Sequence, residues 1–219
     1  MINEMRAAIF DLDGVIVDTA KYHYLAWKRL AKELGFEFSE TDNERLKGVS
    51  RMRSLEILLE VGGLTLSDEA KTAAAARKNT WYVEYITRMD ASEILPGAAH
   101  YLRFIRARGV KTALGSASKN APTILERLGI TPLFDAVVDG NKVSRAKPDP
   151  EVFLRAAHEL GIPPASCVVF EDADAGIEAA LRAGMGAVGV GRPEVLKKAD
   201  MVIGGLWQLN ILFNNQAEL

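Results

Sequence analysis

A doubly wound, Rossmann-like parallel α/β sheet with an inserted all-helical unit is the fold this sequence predicts, and three observations carry it. Short apolar runs recur along most of the chain, helix-like segments with recognisable ends separate them, and one long stretch near the N-terminus holds helix patterns only. Strand followed by helix, repeated, builds a parallel sheet covered on both faces. The stretch without strands must form a second unit, and 219 residues, roughly 1.5 domains' worth, leave room for it.

In chain order, Ala7-Ala8-Ile9-Phe10 reads as a buried strand. Tyr22, Ala26, Leu30 and Leu34 then fall four apart on one helix face, Thr41 and Glu44 have the spacing of a capping box, and Leu55, Leu58 and Leu59 line a further helix. A long helix from about Ser67 to Met89 carries Ala70, Ala74, Trp81 and Tyr85, and Leu95-Pro96-Gly97 punctuates the return. Beyond it come a helix from Pro96 to Arg108 stopped by Gly109, a strand from Val110 to Leu114, and a helix capped by Asn120 with Pro122 in its first turn. Ala136-Val137-Val138, Cys167 to Phe170, Ala187 to Val190 and Met201-Val202-Ile203 read as the later strands. A helix from Pro150 to Leu160 ends at Gly161, and Leu209, Leu212 and Phe213 mark a last helix within Leu206 to Leu219. The division expected is a core of residues 1–17 and 92–219 and a helical cap of residues 18–91.

Composition narrows the function. With 48% hydrophobic and 26% charged residues the chain is neither wholly disordered nor a membrane bundle. Its 27 basic and 29 acidic residues leave a net charge of −2, so no broad positive field awaits nucleic acid or an anionic bilayer. An anionic ligand must be met by a few placed cations. The single cysteine, Cys167, lies in an apolar run and reads as a small core residue; it excludes a disulfide framework and fits a reducing compartment. With no leader pattern and no run approaching a membrane span, a cytoplasmic, monomeric protein is expected. His100 and His158 are placed on helix surfaces, and Trp81 and Trp207 in packing.

Asp11-Leu12-Asp13-Gly14-Val15 follows the first strand directly, where ligands bind in open parallel sheets. Residues two apart in an extended segment project to one side, so Asp11 and Asp13 bring two carboxylates together, and Gly14 lets the backbone turn away. A solvated Asp-Gly turn would show the same residues. The balance shifts because Ser116, Lys147 and the pair Glu171-Asp172 form further polar islands near later strand ends. Carboxylates suit a hard dication such as Mg²⁺, and a hydroxyl, backbone N–H groups and an ammonium suit phosphate. Together they describe phosphoryl transfer on a small phosphorylated metabolite.

These four islands resemble the signature motifs of the haloacid dehalogenase superfamily. Within it, Phe10 to Thr19, Tyr22-His23, Ala26-Trp27-Lys28, Leu46 to Arg51, Arg77-Lys78-Asn79, Ser116 to Asn120 and Gly189 to Pro193 resemble the bacterial β-phosphoglucomutases. The resemblance implies Asp11 as nucleophile, Asp13 as general acid and base, and Lys147 and Arg51 as catalytic cations. It implies Mg²⁺ held by Asp11, Glu171, Asp172 and the main-chain carbonyl of Asp13. Ser116, the N–H of Ala117, Ser118, Lys119 and Asn120 would meet phosphate or sugar. Lys47, Gly48, Val49, Ser50 and Arg51 would form the specificity loop and Ser54 would also bind substrate, with His23 and Lys78 coupling substrate binding to alignment of Asp13. Trp27 either borders the sugar or packs the helical unit. The substrate implied is a small phosphosugar, β-D-glucose 1-phosphate or D-glucose 6-phosphate, with β-D-glucose 1,6-bisphosphate as priming intermediate. A sugar- or polyol-phosphate phosphatase is the alternative. Two further charges sit beside these motifs: Arg53 could bias sugar preference, and Asp174 is read as stabilising a helix N-terminus.

Overall fold

The computed structural model describes residues 2–46 and 49–209. Six strands form one parallel sheet: β1 (Ala7–Phe10), β2 (Lys111–Gly115), β3 (Ala136–Val138), β4 (Cys167–Glu171), β5 (Gly186–Val190) and β6 (Met201–Ile203). Their order is β3-β2-β1-β4-β5-β6. The chain therefore winds outward from β1 in one direction, crosses, and winds outward from β4 in the other. The crevice at that reversal, beyond the carboxyl ends of β1 and β4, is where such sheets bind ligands. Phe10 pairs with Phe170 and with Leu114 in register, which sets Asp11 beside the end of β4 and level with the end of β2.

Strand periodicity divides the core. Ala8 and Phe10 face one apolar cluster with Val168, Phe170, Val188 and Leu114, while Ala7 and Ile9 face another with Cys167, Val169 and Ala187. The first face is covered by α5 (Ala98–Ala107) and α6 (Ala121–Arg127), the second by α7 (Glu151–Leu160) and α8 (Asp174–Arg182). Between β1 and α5 lie four further helices: α1 (Ala20–Glu33), α2 (Glu40–Glu44), α3 (Arg51–Gly62) and α4 (Asp68–Ile86). Trp27 and Leu30 of α1, Leu55 and Leu58 of α3 and Ala74, Tyr82 and Ile86 of α4 are buried among them. No helix among the described residues is long and apolar enough to cross a membrane.

Three local expectations change. The capping box lies at Ser39 and Asp42, not at Thr41 and Glu44: the Ser39 hydroxyl accepts from the Asp42 N–H at 3.1 Å and the Asp42 carboxylate accepts from the Ser39 N–H at 3.0 Å. Asn120 precedes α6 but makes no side-chain cap. Trp207 is 43% exposed, and it is its backbone that packs, against Gly97, where a Cβ would fall 2.4 Å from the Trp207 Cα. The remainder of the last helix, including Leu212 and Phe213, lies outside the described residues. Cys167 is a core residue as expected, and burial pushes its thiol up to about 11.

Tyr101 of α5 is fully buried against Phe10 and Phe170, and its hydroxyl has no partner among the described residues. A buried hydroxyl without a partner costs about 1–3 kcal/mol. Tyr101→Phe is therefore expected to stabilise the fold by roughly 1 kcal/mol, read as a higher urea midpoint with an unchanged slope.

Candidate active site

A cavity of about 790 Å³ lies between the carboxyl edge of the sheet and helices α1, α3 and α4. Asp11, Asp13, Ser116, Ala117, Ser118, Lys119, Asn120, Lys147, Glu171 and Asp172 line it from the sheet side. His23, Trp27, Val49, Arg51, Ser54 and Lys78 line it from the helical side. The expected residues Lys47 and Gly48 lie outside the described residues.

At the sheet edge, the N–H of Asp11 donates to the Phe170 carbonyl at 2.9 Å, tying the departure from β1 to β4. Lys147 comes from the loop between β3 and α7 and is 6% exposed. Its ammonium donates to Asp11 Oδ1 at 2.5 Å and to Glu171 Oε2 at 2.8 Å, so one buried cation serves two carboxylates. The Ala173 N–H donates to the other Glu171 oxygen at 3.1 Å. Asp11, Glu171 and Asp172 each offer an oxygen within 4.8 Å of the others. Burial and then the neighbouring carboxylates push Asp172 well above the ordinary range, and burial raises Glu171. Three clustered carboxyls against one ammonium are short of positive charge, which is the condition a hard dication meets. The backbone is shaped for this crowding. A Cβ on Gly14, where φ is +76°, would fall 2.1 Å from an Asp172 oxygen, and one on Gly176 would fall 2.1 Å from a Glu171 oxygen. The residues present fit Mg²⁺.

The Asp13 side chain stands outside that triad. Its carboxylate accepts from the buried hydroxyl of Thr19, and burial followed by the Asp11 charge raises it to about 7. Two carboxyls two residues apart are thus placed differently: Asp11 on the lysine, Asp13 where it can carry a proton near neutrality. Beside them, Ser116 is buried at the end of β2, its hydroxyl accepting from the Ser118 N–H at 3.1 Å.

The helical side of the cavity carries cations. Lys78, 2% exposed, shares a hydrogen bond with His23 Nδ1 at 2.8 Å and stands over the Trp27 and Tyr82 rings at 4.5 and 4.7 Å from their centroids. Trp27 packs among the helices and also lines the cavity. Burial and then Arg51 lower Lys78 well below the ordinary lysine range, and burial and then Lys78 lower His23. Arg51, half-buried in the first turn of α3, has no acidic partner among the described residues. Arg53 turns instead to Glu56 and Glu60 of its own helix at 3.0 and 3.2 Å. Asp174 begins α8 and faces Lys198 at 3.5 Å, outside the carboxylate triad.

Sequence reasoning assigned no role to Thr19, Gly176 and Asn79, although Thr19 and Asn79 lie within segments that carry the resemblance. The first two stand at short spacings from Asp13 and Glu171, yet a lone threonine or glycine at such spacing carries no signal. Asn79 joins the site through Asn120, whose amide donates to Asn79 Oδ1 at 2.9 Å instead of capping α6. Asn43 also lines the cavity, 8% exposed.

Comparison with known proteins agrees with this geometry. Residues 5–184 match the haloacid dehalogenase-like hydrolases. A β-phosphoglucomutase of Bacillus subtilis is 45% identical over 201 residues, 91% of this chain and 89% of that protein. A fructose-1-phosphate phosphatase of Escherichia coli is 35% identical over 87% of this chain and 98% of its own. Among solved structures, a β-phosphoglucomutase from Clostridium difficile superposes with a TM-score of 0.91 at 44% identity, covering 97% of this chain and 96% of that one. Both the edge carboxylates and the helical insertion fall within these matches, and the chain belongs to the haloacid dehalogenase-like hydrolase family.

Proposed function

We propose that the protein is a phosphomutase that interconverts β-D-glucose 1-phosphate and D-glucose 6-phosphate through a phosphorylated Asp11 and β-D-glucose 1,6-bisphosphate. It would act as a monomer in the cytoplasm. Residues 18–91 select the substrate, and residues 1–17 with 92–219 carry the chemistry. One observation carries the reading: the cavity has two ends suited to phosphate, the sheet end once its carboxylates hold a dication and the helical end through its own cations. At the sheet end are Asp11, Lys147, Ser116 and the carboxylate triad, and at the helical end are Arg51 and Lys78, neither with an acidic partner among the described residues. A hydrolase needs one phosphate site, whereas a bisphosphate that must present either end needs two. The 45% identity to a mutase over nearly the full chain supports the same conclusion.

In the first half-reaction the substrate hydroxyl gives its proton to Asp13 as its oxygen attacks the phosphoryl group on Asp11. The new P–O bond forms as the aspartyl bond breaks, giving the bisphosphate. After the bisphosphate turns end for end, Asp11 attacks the other phosphoryl group and Asp13 returns the proton to the departing sugar oxygen. Asp13 suits both tasks because its raised pKa lies near neutrality. Lys147 donates to Asp11 and offsets the approach of a dianion. Ser116 and the Ala117 N–H grip the transferring group, and Arg51 grips the other phosphate. Mg²⁺ held by Asp11, Glu171, Asp172 and the Asp13 carbonyl would add charge against the phosphoryl oxygens. Helices α1, α3 and α4 over the cavity exclude water, the competing acceptor.

The test supplies β-glucose 1-phosphate, Mg²⁺ and a trace of the bisphosphate, and records glucose 6-phosphate and inorganic phosphate in parallel. Glucose 6-phosphate in excess, dependent on priming, is expected. Inorganic phosphate as the main product would make the protein a sugar-phosphate phosphatase.

A further inference from the structure

We infer that Asn79 is a positioning residue that ties the helical unit to the phosphoryl-binding loop and so directs the phosphoryl group to sugar instead of water. The inference rests on the mutase reading above. Asn79 follows Lys78 on α4, a helix fixed locally by the contacts of Lys78 to His23, Trp27 and Tyr82. Its amide oxygen accepts from Asn120 Nδ2 at 2.9 Å, across 41 residues of sequence. Asn120 in turn donates its N–H to the Ser118 hydroxyl at 3.3 Å, and the Ser118 N–H reaches the Ser116 hydroxyl at 3.1 Å. Three hydrogen bonds thus run from the helix over the cavity to the side chain expected to hold the transferring group.

Asn120 precedes α6, where asparagine ordinarily caps the helix with its own side chain. It forgoes that cap and spends its amide on the opposite wall. Other polar ties between the two parts sit at the ends of the insertion: the Thr19 hydroxyl on Asp13 where the chain leaves the core, and Lys21 and Tyr22 on Glu93 at 2.6 and 2.7 Å where it re-enters. Asn79 and Asn120 meet at the cavity itself, where a loosened wall admits water.

The test is a cycle of Asn79→Ala, Asn120→Ala and the double variant, each assayed for phosphate released per glucose 6-phosphate formed, for kcat and KM, and for Tm. Alanine is a good helix former, so α4 is retained. Asn79→Ala is expected to raise the release of phosphate about fivefold, equivalent to about 1 kcal/mol at 1.36 kcal/mol per factor of ten. Its kcat falls while KM and Tm hold, and it adds nothing in the Asn120→Ala background. A wild-type product ratio in Asn79→Ala, or effects that multiply in the double variant, would overturn the inference. Should the wild type release only phosphate, the mutase reading fails instead. The same cycle on phosphate release then decides the tie, non-multiplying effects supporting it and multiplying effects overturning it.

Discussion

Asp11→Asn is expected to lower turnover by roughly 10⁴-fold or more, the scale seen when a covalent nucleophile is removed, and at the same time to stabilise the metal-free protein. The activity follows from the loss of the oxygen that bonds phosphorus. The stability follows from the charge count, because Asp11 is one of three clustered carboxyls sharing one ammonium, and it raises its neighbours Glu171 and Asp172. Groups whose folded pKa is raised support the fold below their unfolded value, about 4, and withdraw that support as pH climbs through the raised value. Metal-free wild type is therefore expected to lose stability from about pH 4 upward through neutrality. Asp11→Asn flattens that decline, and Mg²⁺ removes most of it in the wild type. Thermal unfolding at several pH values, with and without Mg²⁺, beside the product assay checks both halves. Equal activity, or a wild type whose metal-free stability rises with pH, would contradict the charge argument.

Lys147→Met is the second large change, and its sign on stability is opposite. Methionine fills a comparable volume, but the Lys147 side chain is 3% exposed and is the partner of both Asp11 and Glu171. Removing one member of a buried ion pair costs about 3–5 kcal/mol, because the remaining charges stay buried without compensation. The urea midpoint should fall accordingly in the absence of metal and recover in part with Mg²⁺, which replaces some of the missing charge. Turnover should fall by roughly 10³-fold, since Asp11 meets a dianion without its cation. A variant as stable as wild type would show that the triad sheds its charge on protonation instead of relying on the lysine.

The fold was legible where one physical rule dominated. Buried parallel strands are apolar on both faces, so Ala7 to Phe10 and Cys167 to Phe170 stand out against the helices, and strand ends announce where Asp11, Glu171 and Asp172 must gather. Lys147 was less direct, since it reaches the site from a loop beyond β3. What sequence could not decide were choices between equivalent local patterns. Ser39 with Asp42 and Thr41 with Glu44 have the same spacing, and only the packed path of the chain selects the first. Asn120 could cap α6 or reach across the cavity, and a partner 41 residues distant decided it. The contacts of Thr19 and Asn79 escaped for the same reason, although both residues lie in segments that carry the resemblance, because single hydrogen bonds between distant segments leave no periodic trace. Trp207 misled through size: a large ring suggests burial, while the backbone beneath it makes the contact.

The chain leaves the sheet after β1 and returns beside its own exit. The Leu95 N–H donates to the Ile16 carbonyl at 2.9 Å, and Val17 bridges both Asp13 and Ile94. Everything between these touching ends is, to the sheet, a single loop closed at its base, and loop-closure cost grows only slowly with length. A different run of helices can be spliced there without disturbing the strand ends that hold Asp11, Ser116, Lys147 and Asp172. Lineages built on this plan can change what they recognise, and what accepts the phosphoryl group, by exchanging one contiguous stretch of gene, while the carboxylates and lysine at the strand ends pass down unaltered.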